Sequence, residues 1–246
     1  MSTSRKAFYS GLFVFSVALS GGWSSQAEAA QVNLLTNGGF ETPEQVTKTL
    51  TFPTDTNNWT GDLSQITTAA DGITPFKGDR MLQFSGSAGV GSSRIFINSD
   101  VFQLVDVTPF RDRVDSGTAL LSATGLFNRV AGDTETDTLF KIALLAYSGS
   151  PETFPNQFSG SSALAKEEVE LDSDADITTW EQMGTDLLLP SETDFVALRI
   201  VAGENVFNDA RGIEFDGHYA DAIELNINQV PEPITVLGTA AALGFV

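Results

Sequence analysis

Cysteine is absent from the 246 residues, and histidine occurs once, at His218. A chain without cysteine has no disulfide, no thiolate nucleophile and no sulfur ligand for zinc or an iron–sulfur cluster. A single histidine allows at most one Ser-His-Asp arrangement and no metal site built on several histidines. These absences favour a protein that is not an enzyme, and hydrolysis by a pair of carboxylates stays open as an alternative because acidic residues are abundant.

Basic residues are also scarce. The chain has 13 Lys and Arg against 32 Asp and Glu, and its formal net charge is −19. Such a charge argues against nucleic acids and anionic membrane surfaces as partners. It favours solubility outside the cell and the binding of divalent cations. The length suits one domain with a substantial core.

The first thirty residues have the three parts of a secretory signal peptide. Arg5 and Lys6 form a basic start, residues 7–20 are mostly apolar, and small residues precede position 31. This pattern predicts a signal helix over 1–30 that is cleaved after Ala29 or Ala30. The apolar run is short for a bilayer, so an uncleaved membrane anchor is the weaker alternative.

Residues 31–229 are predicted to form one domain made of β-strands. Short apolar or alternating runs lie between clusters of Gly, Asn, Asp, Ser and Pro, as in Phe140, Ile142 and Leu144. The period of two predicts that one face of each strand packs in a core and the other faces water. One short helix is expected within 163–171, and 148–160 is expected to be a loop. Many short strands without a repeat indicate a sandwich or jelly roll.

Five segments resemble, in chain order, the strands of galactose-binding-like jelly rolls. This superfamily includes many carbohydrate-binding modules. The resemblance implies an all-β fold, an antiparallel jelly-roll β-sandwich, with a structural calcium ion that joins the first and last strands. The segments are 33–41, 58–60, 77–84, 101–109 and 219–225.

The closing strand carries a carboxylate that predicts a cation site. Asp221 has the same parity as Ile223, so a regular strand would point it toward the core, where an ionised carboxylate needs a partner. Glu41 can supply a second carboxylate, and two carboxylates favour calcium. The resemblance implies Glu41 and Asp221 as ligands, Asp79 as a third, and carbonyls near Gly78. The alternative is that Glu41 caps backbone amides and Asp221 pairs with an arginine or a turn.

Three aromatic residues are candidates for stacking on sugars, because a planar ring can cover the C–H face of a pyranose. They are Trp59, Trp180 and Tyr147. Core packing is the alternative for each, since all three adjoin strand-like runs and tryptophan is mostly buried in folded proteins.

The chain ends in Val230, Pro231, Glu232 and Pro233 followed by apolar residues. This tail, 230–246, resembles the PEP-CTERM sorting signal. The resemblance implies an exosortase partner, a short apolar C-terminal helix, and a bacterial cell-surface or extracellular location. The apolar stretch 234–246 spans roughly 20 Å as a helix against a core of about 30 Å, so we expect a truncated signal. A proline-stiffened linker is the alternative.

Taken together, the sequence predicts an exported, non-catalytic protein of the cell surface or biofilm matrix, with exopolysaccharide as the candidate ligand of a calcium-stabilised jelly roll. Two alternatives remain: a structural or adhesive module that binds proteins and no glycan, and a polysaccharide hydrolase on the same scaffold.

Overall fold

The computed structural model describes residues 33–43, 46–85, 97–130, 138–174, 176–204 and 217–230. Several predicted features lie outside these residues: the signal helix 1–30 with Ala29 and Ala30, and the sorting motif Pro231, Glu232 and Pro233 with its apolar helix. Within the described residues, no helix is long and apolar enough to cross a membrane.

The described residues form eleven strands in two sheets. Sheet A has the order β1-β2-β5-β10-β7-β8, and sheet B has the order β3-β4-β11-β6-β9. Two 3₁₀ turns, Thr108–Phe110 and Pro151–Thr153, precede the short helices α1 (Arg111–Asp115) and α2 (Phe154–Ser159). The strands are β1 (Val46–Leu50), β2 (Trp59–Gly61), β3 (Ser64–Thr67), β4 (Met81–Phe84), β5 (Ile97–Asp106), β6 (Ala119–Arg129), β7 (Thr138–Tyr147), β8 (Ala165–Asp172), β9 (Glu181–Leu188), β10 (Phe195–Glu204) and β11 (His218–Gln229).

Strands β4 to β11 have the connectivity of a jelly roll. They give one four-stranded layer β4-β11-β6-β9 and a second layer β5-β10-β7-β8. Every pairing within these layers is antiparallel. Eight strands distributed over two sheets in this way form the double Greek key of a jelly roll, so the predicted fold class is confirmed. The exception to antiparallel pairing is the edge of sheet A, where β1 runs parallel to β2.

The main core lies between the sheets and follows the predicted alternation. Phe140, Ile142 and Leu144 of β7 are fully buried in it, and Val196 and Leu198 of β10 pack beside them. The β-branched and aromatic side chains that favour strands therefore also fill the interior.

The opposite face of β7 and β10 is buried as well, so the prediction that it faces water is wrong. Helix α2, in the segment expected to be a loop, lies against this face. Its Phe154 is fully buried and packs edge-to-face on Phe102 and Tyr147. Ala143 and Ala197 leave room for these rings in the second apolar cluster.

The prediction of a helix within 163–171 is also wrong, because this segment forms strand β8. β8 pairs antiparallel with β7 over its whole length. Val169 and Leu171 pack on the main core at alternate positions. The pairing with β7 buries this apolar pair, and that overrides the local preference for a helix.

Residues 33–42 form an irregular N-terminal strap and not the first strand that the sequence predicts. Asn37 and Phe40 have φ values of 54° and 56°, which interrupt any extended run. The Leu34 amide donates to the Leu225 carbonyl of sheet B at 2.7 Å. The Gln103 side chain of sheet A accepts from the Thr36 amide at 2.8 Å and donates to its carbonyl at 2.9 Å. The strap therefore links the two sheets.

Candidate functional site

A β-bulge in the closing strand places the predicted cation ligand. The register of β11 against β6 shifts between Asp221 and Glu224, where Ala222 has φ 48°. Ala220 and Ile223 both lie in the main core, so the parity of the strand changes between them. Asp221 therefore lies on the outer side of sheet B and not on the predicted core side. It is nevertheless completely buried.

The loop of residues 76–80 covers Asp221 and supplies its partners. The Lys77 amide donates to Oδ2 at 3.0 Å, and the Ala222 amide donates to Oδ1 at 2.6 Å. Burial raises the pKa of Asp221, and the nearby charge of Glu41 raises it further, while the amides of Lys77, Ala222 and Phe76 act in the opposite direction. The contacts of Asp221 therefore match its alternative prediction, which was pairing with a turn.

Glu41 binds the same loop two residues further on. The Asp79 amide donates to Oε1 and Oε2 at 3.1 and 3.2 Å, and the Arg80 amide donates to Oε1 at 3.3 Å. Gly78 between them has φ 74°, and a Cβ atom there would lie 2.1 Å from Glu41 Oε1. Only glycine allows the carboxylate to approach the backbone this closely.

The structure thus brings Glu41 and Asp221 together at one loop, but it does not add the side chain of Asp79, which is exposed. Within the described ranges, no three acidic, histidine or cysteine residues are grouped to hold a metal ion. Each carboxylate oxygen has two lone pairs, so the amide contacts leave acceptor capacity. The pair therefore fits calcium as two of six to eight oxygen ligands, with carbonyls or waters as the others.

An open groove lies beside the carboxylate pair on the outer face of sheet B. It consists of two adjoining depressions of about 230 and 240 Å³ that share Lys77, Ala222 and Glu224. We call it the sheet B groove. One part is also lined by Asn33, Gly39, Glu41, Gly78 and Ile223, and the other by Phe76, Thr124, Gly125, Leu126 and Gln182.

One aromatic side chain lines this groove and contacts a second one beside it. Phe76 lines the groove and is 54% exposed. Trp180 is partly exposed, and its ring meets that of Phe76 edge-to-face, with centroids 6.4 Å apart. The Trp180 Nε1 donates to the Thr74 carbonyl at 3.1 Å, which fixes the indole against the segment before Phe76. The sequence does not point to Phe76, whose only signal is a large apolar residue in a turn rich in Gly and Asp.

The outer face of sheet B beyond the bulge is mostly polar. Glu224 lies opposite Thr124, and Asn226 lies opposite Ser122, which in turn pairs with Asp186. Side chains at paired positions point to the same face of a sheet. The face therefore presents carboxylates, amides and hydroxyls that can form hydrogen bonds with a ligand.

The other two predicted stacking residues are core residues. Trp59 is completely buried, packs on Phe40 with centroids 5.2 Å apart, and donates to the Thr36 carbonyl at 3.1 Å. Tyr147 is 1% exposed and stacks on Phe195 at 5.3 Å. Burial raises the pKa of Tyr147 to about 12. Neither ring reaches the surface, so their sugar-stacking prediction is corrected, and Trp180 is the candidate that remains.

Comparison with known proteins assigns no family. No protein-family model matches the chain. No curated protein matches it either.

Several solved structures match over most of the chain at low identity. The enzymatically active domain of tailspike protein 4 from bacteriophage CBA120 is 12% identical over 80% of this chain, with a TM-score of 0.44, and this chain spans about a fifth (21%) of its length. The CBM22-1 xylan-binding domain of Paenibacillus barcinonensis Xyn10C is 12% identical over 72% of this chain and 89% of the domain, with a TM-score of 0.40. A CBM4 structure is 13% identical over 78% of this chain and 99% of its own, with a TM-score of 0.36. TM-scores below 0.5 assign neither a family nor a ligand to this chain.

Proposed function

We propose that the chain is a non-catalytic glycan-binding protein, exported to the cell surface or extracellular matrix, and that the sheet B groove holds the sugar chain. One observation carries this proposal. The exposed Phe76 and the partly exposed Trp180 form an aromatic pair at the end of an open polar groove.

The chemistry of the groove suits a pyranose ring, which has apolar C–H faces and a rim of hydroxyls. Phe76 and Trp180 offer apolar ring surface for a face. Gln182, Thr124 and Glu224 offer donors and acceptors for the hydroxyls. The groove is open to solvent and not an enclosed cavity, so an internal segment of a polysaccharide can reach it without a free chain end.

The contacts of Glu41 and Asp221 favour a role in holding the loop over hydrolysis by this pair of carboxylates. A hydrolase needs two carboxyl groups facing the substrate on opposite sides of the scissile bond. Asp221 is fully buried beneath the 76–80 loop, and both oxygens of Glu41 accept backbone amides. These two carboxylates therefore hold the loop in place.

The test of the glycan site compares aromatic variants on a polysaccharide panel. F76A removes ring surface from the groove and W180A removes the ring that packs beside it, and both are expected to weaken binding at least about tenfold, a loss of roughly 1.4 kcal/mol. F52A is the matched control, because Phe52 is 43% exposed but packs on Phe102 of sheet A. It is expected to bind like the parent chain.

Two results would contradict the glycan proposal. A panel that shows no binding, with calcium or without it, would favour the protein-binding alternative. Turnover of a polysaccharide that is lost on substitution of an acidic pair would favour the hydrolase.

We also propose that calcium binds at Glu41 and Asp221 and stabilises the junction of the strap and β11. Two adjacent carboxylates repel each other, and a divalent cation relieves this repulsion. Calorimetry with calcium chloride is expected to show uptake by the parent chain, and E41Q is expected to abolish it. The exposed Glu167 of β8 provides the control E167Q. A parent chain that shows no uptake, with an EDTA-insensitive melting temperature, would contradict the site.

The location in this proposal comes from the two ends of the sequence, with signal cleavage after Ala29 or Ala30 and sorting by an exosortase at Pro231, Glu232 and Pro233. Mass spectrometry of the exported protein tests it. A product that still starts at Met1 would contradict signal cleavage.

A further inference from the structure

Residues 76–80, which we call the clamp loop, belong to both the carboxylate pair and the groove. The backbone amides of Lys77, Asp79 and Arg80 donate to Asp221 and Glu41. The side chains of Phe76 and Lys77 line the sheet B groove. The backbone of this five-residue segment is thus hydrogen-bonded to the carboxylates of Asp221 and Glu41, while Phe76 and Lys77 form part of the groove wall.

The clamp loop has little freedom at its centre. Gly78 has φ 74°, and Glu41 Oε1 occupies the space that a Cβ atom would take there. The segment before the loop is fixed at Thr74 by the Trp180 indole, and Phe76 meets the Trp180 ring. The loop is therefore held on both sides, by the carboxylates and by the contacts of Trp180.

We infer that Glu41 and Asp221 are positioning residues for the sheet B groove, which they shape by accepting the backbone amides of the clamp loop. The inference rests on the proposed function, since it names what sets the geometry of that site. Hydrogen bonds from amides to a carboxylate are stronger than those between neutral groups, so two such carboxylates can fix a short loop. Because Glu41 also lines the groove, a variant that keeps its charge is needed to separate positioning from direct contact with the glycan.

The experiment labels the full chain with 5-fluorotryptophan and follows the ¹⁹F resonance of Trp180, which is assigned by its loss in W180F. Two variants release the loop in different ways. E41Q removes the charge of the acceptor, whereas G78A keeps all charges and displaces Glu41 sterically. Their controls are E167Q, at the exposed Glu167, and G117A, because Gly117 has φ 69° and nothing within 4 Å of its added Cβ.

We expect the Trp180 resonance to move in both E41Q and G78A and to stay in place in both controls. Agreement between a charge-changing and a charge-neutral variant identifies the loop geometry as the cause. The affinity for the polysaccharide bound best on the panel is expected to fall about tenfold in both variants.

A Trp180 resonance at the parent position in folded E41Q and folded G78A would overturn the inference. If G78A does not fold, E41Q decides the question alone. The proposed function fails separately: in that case F76A and W180A bind like the parent, while a displaced Trp180 resonance in E41Q still supports the positioning role.

Discussion

At the scale of single residues, the sequence predicts that a carboxylate is buried more readily than it predicts the face of the sheet on which that carboxylate lies. The apolar neighbours of Asp221 indicated a buried carboxylate, and the structure buries it. The predicted core-side orientation of Asp221 assumes that side chains alternate strictly along β11, and the bulge at Ala222 breaks this alternation. A bulge depends on what the strand meets in the folded state, here the clamp loop, and a single sequence carries little signal for it.

The aromatic residues show the same limit. Trp59, Trp180 and Tyr147 all adjoin strands, but of the three only Trp180 is partly exposed, and its ring contacts Phe76 of the groove. Trp59 and Tyr147 are covered by the strap and by α2, two segments whose structure the sequence did not reveal. Phe76 lies at the sheet B groove because tertiary contacts fix the conformation of the clamp loop.

Asp194 is a residue whose contribution to stability should depend on pH. Its carboxylate accepts the Gly149 amide at 2.6 Å and pairs with Arg111, which together lower its pKa. A lowered pKa in the folded state stabilises the fold above the unfolded value of about 3.9, and this contribution is lost as the pH falls through the folded value. D194N is expected to reduce the free energy of unfolding by about 1–2 kcal/mol at pH 7.

Urea denaturation at several pH values checks this prediction. The difference between D194N and the parent is expected to shrink as the pH falls below about 4, because the unfolded parent chain takes up the proton there and the folded carboxyl does so at still lower pH. D55N, at an exposed loop residue, is the control and should have little effect at any pH. A deficit of D194N that is the same at pH 3 and pH 7 would contradict the electrostatic explanation.

At the scale of elements, strands with alternating apolar residues could be predicted and the segments that cover them could not. β7, β10 and β11 all lie where the alternation of apolar and polar residues predicts strands. The segment of β8 is predicted to be a helix, because nothing local in its sequence reveals the pairing with β7 that buries Val169 and Leu171. The strap lacks a regular pattern because it binds both sheets through side chains and turns.

The strap is expected to depend on one glutamine. Gln103 is fully buried, and its side chain accepts a hydrogen bond from the Thr36 amide and donates one to the Thr36 carbonyl. Q103A leaves the Thr36 amide without its acceptor, and we expect a loss of about 1–3 kcal/mol in the free energy of unfolding. Hydrogen exchange should accelerate across 33–42, because the strap loses its link to sheet A.

The control for this prediction is Q229A, because Gln229 is an exposed glutamine at the end of β11. Equal stability of Q103A and Q229A, with unchanged exchange in the strap, would show that the strap is held by its contacts to β11 alone.

At the scale of the whole molecule, the order of eight strands, the strap and the bulge combine to make one site. The jelly roll brings the closing strand β11 to the centre of sheet B. The strap carries Glu41 to this strand, and the clamp loop places Phe76 and Lys77 above the polar outer face. The fold class followed from the sequence, whereas the groove arises from segments far apart in the chain.

Chemical-shift mapping with the polysaccharide bound best on the panel tests the central claim most directly. In a ¹⁵N-labelled sample, we expect the largest shifts at amides of 76–80, 124–126 and 222–224 and at the Trp180 indole, which border or lie beside the sheet B groove. Shifts that cluster instead on the outer face of sheet A, around Phe52 and Phe158, would contradict the account.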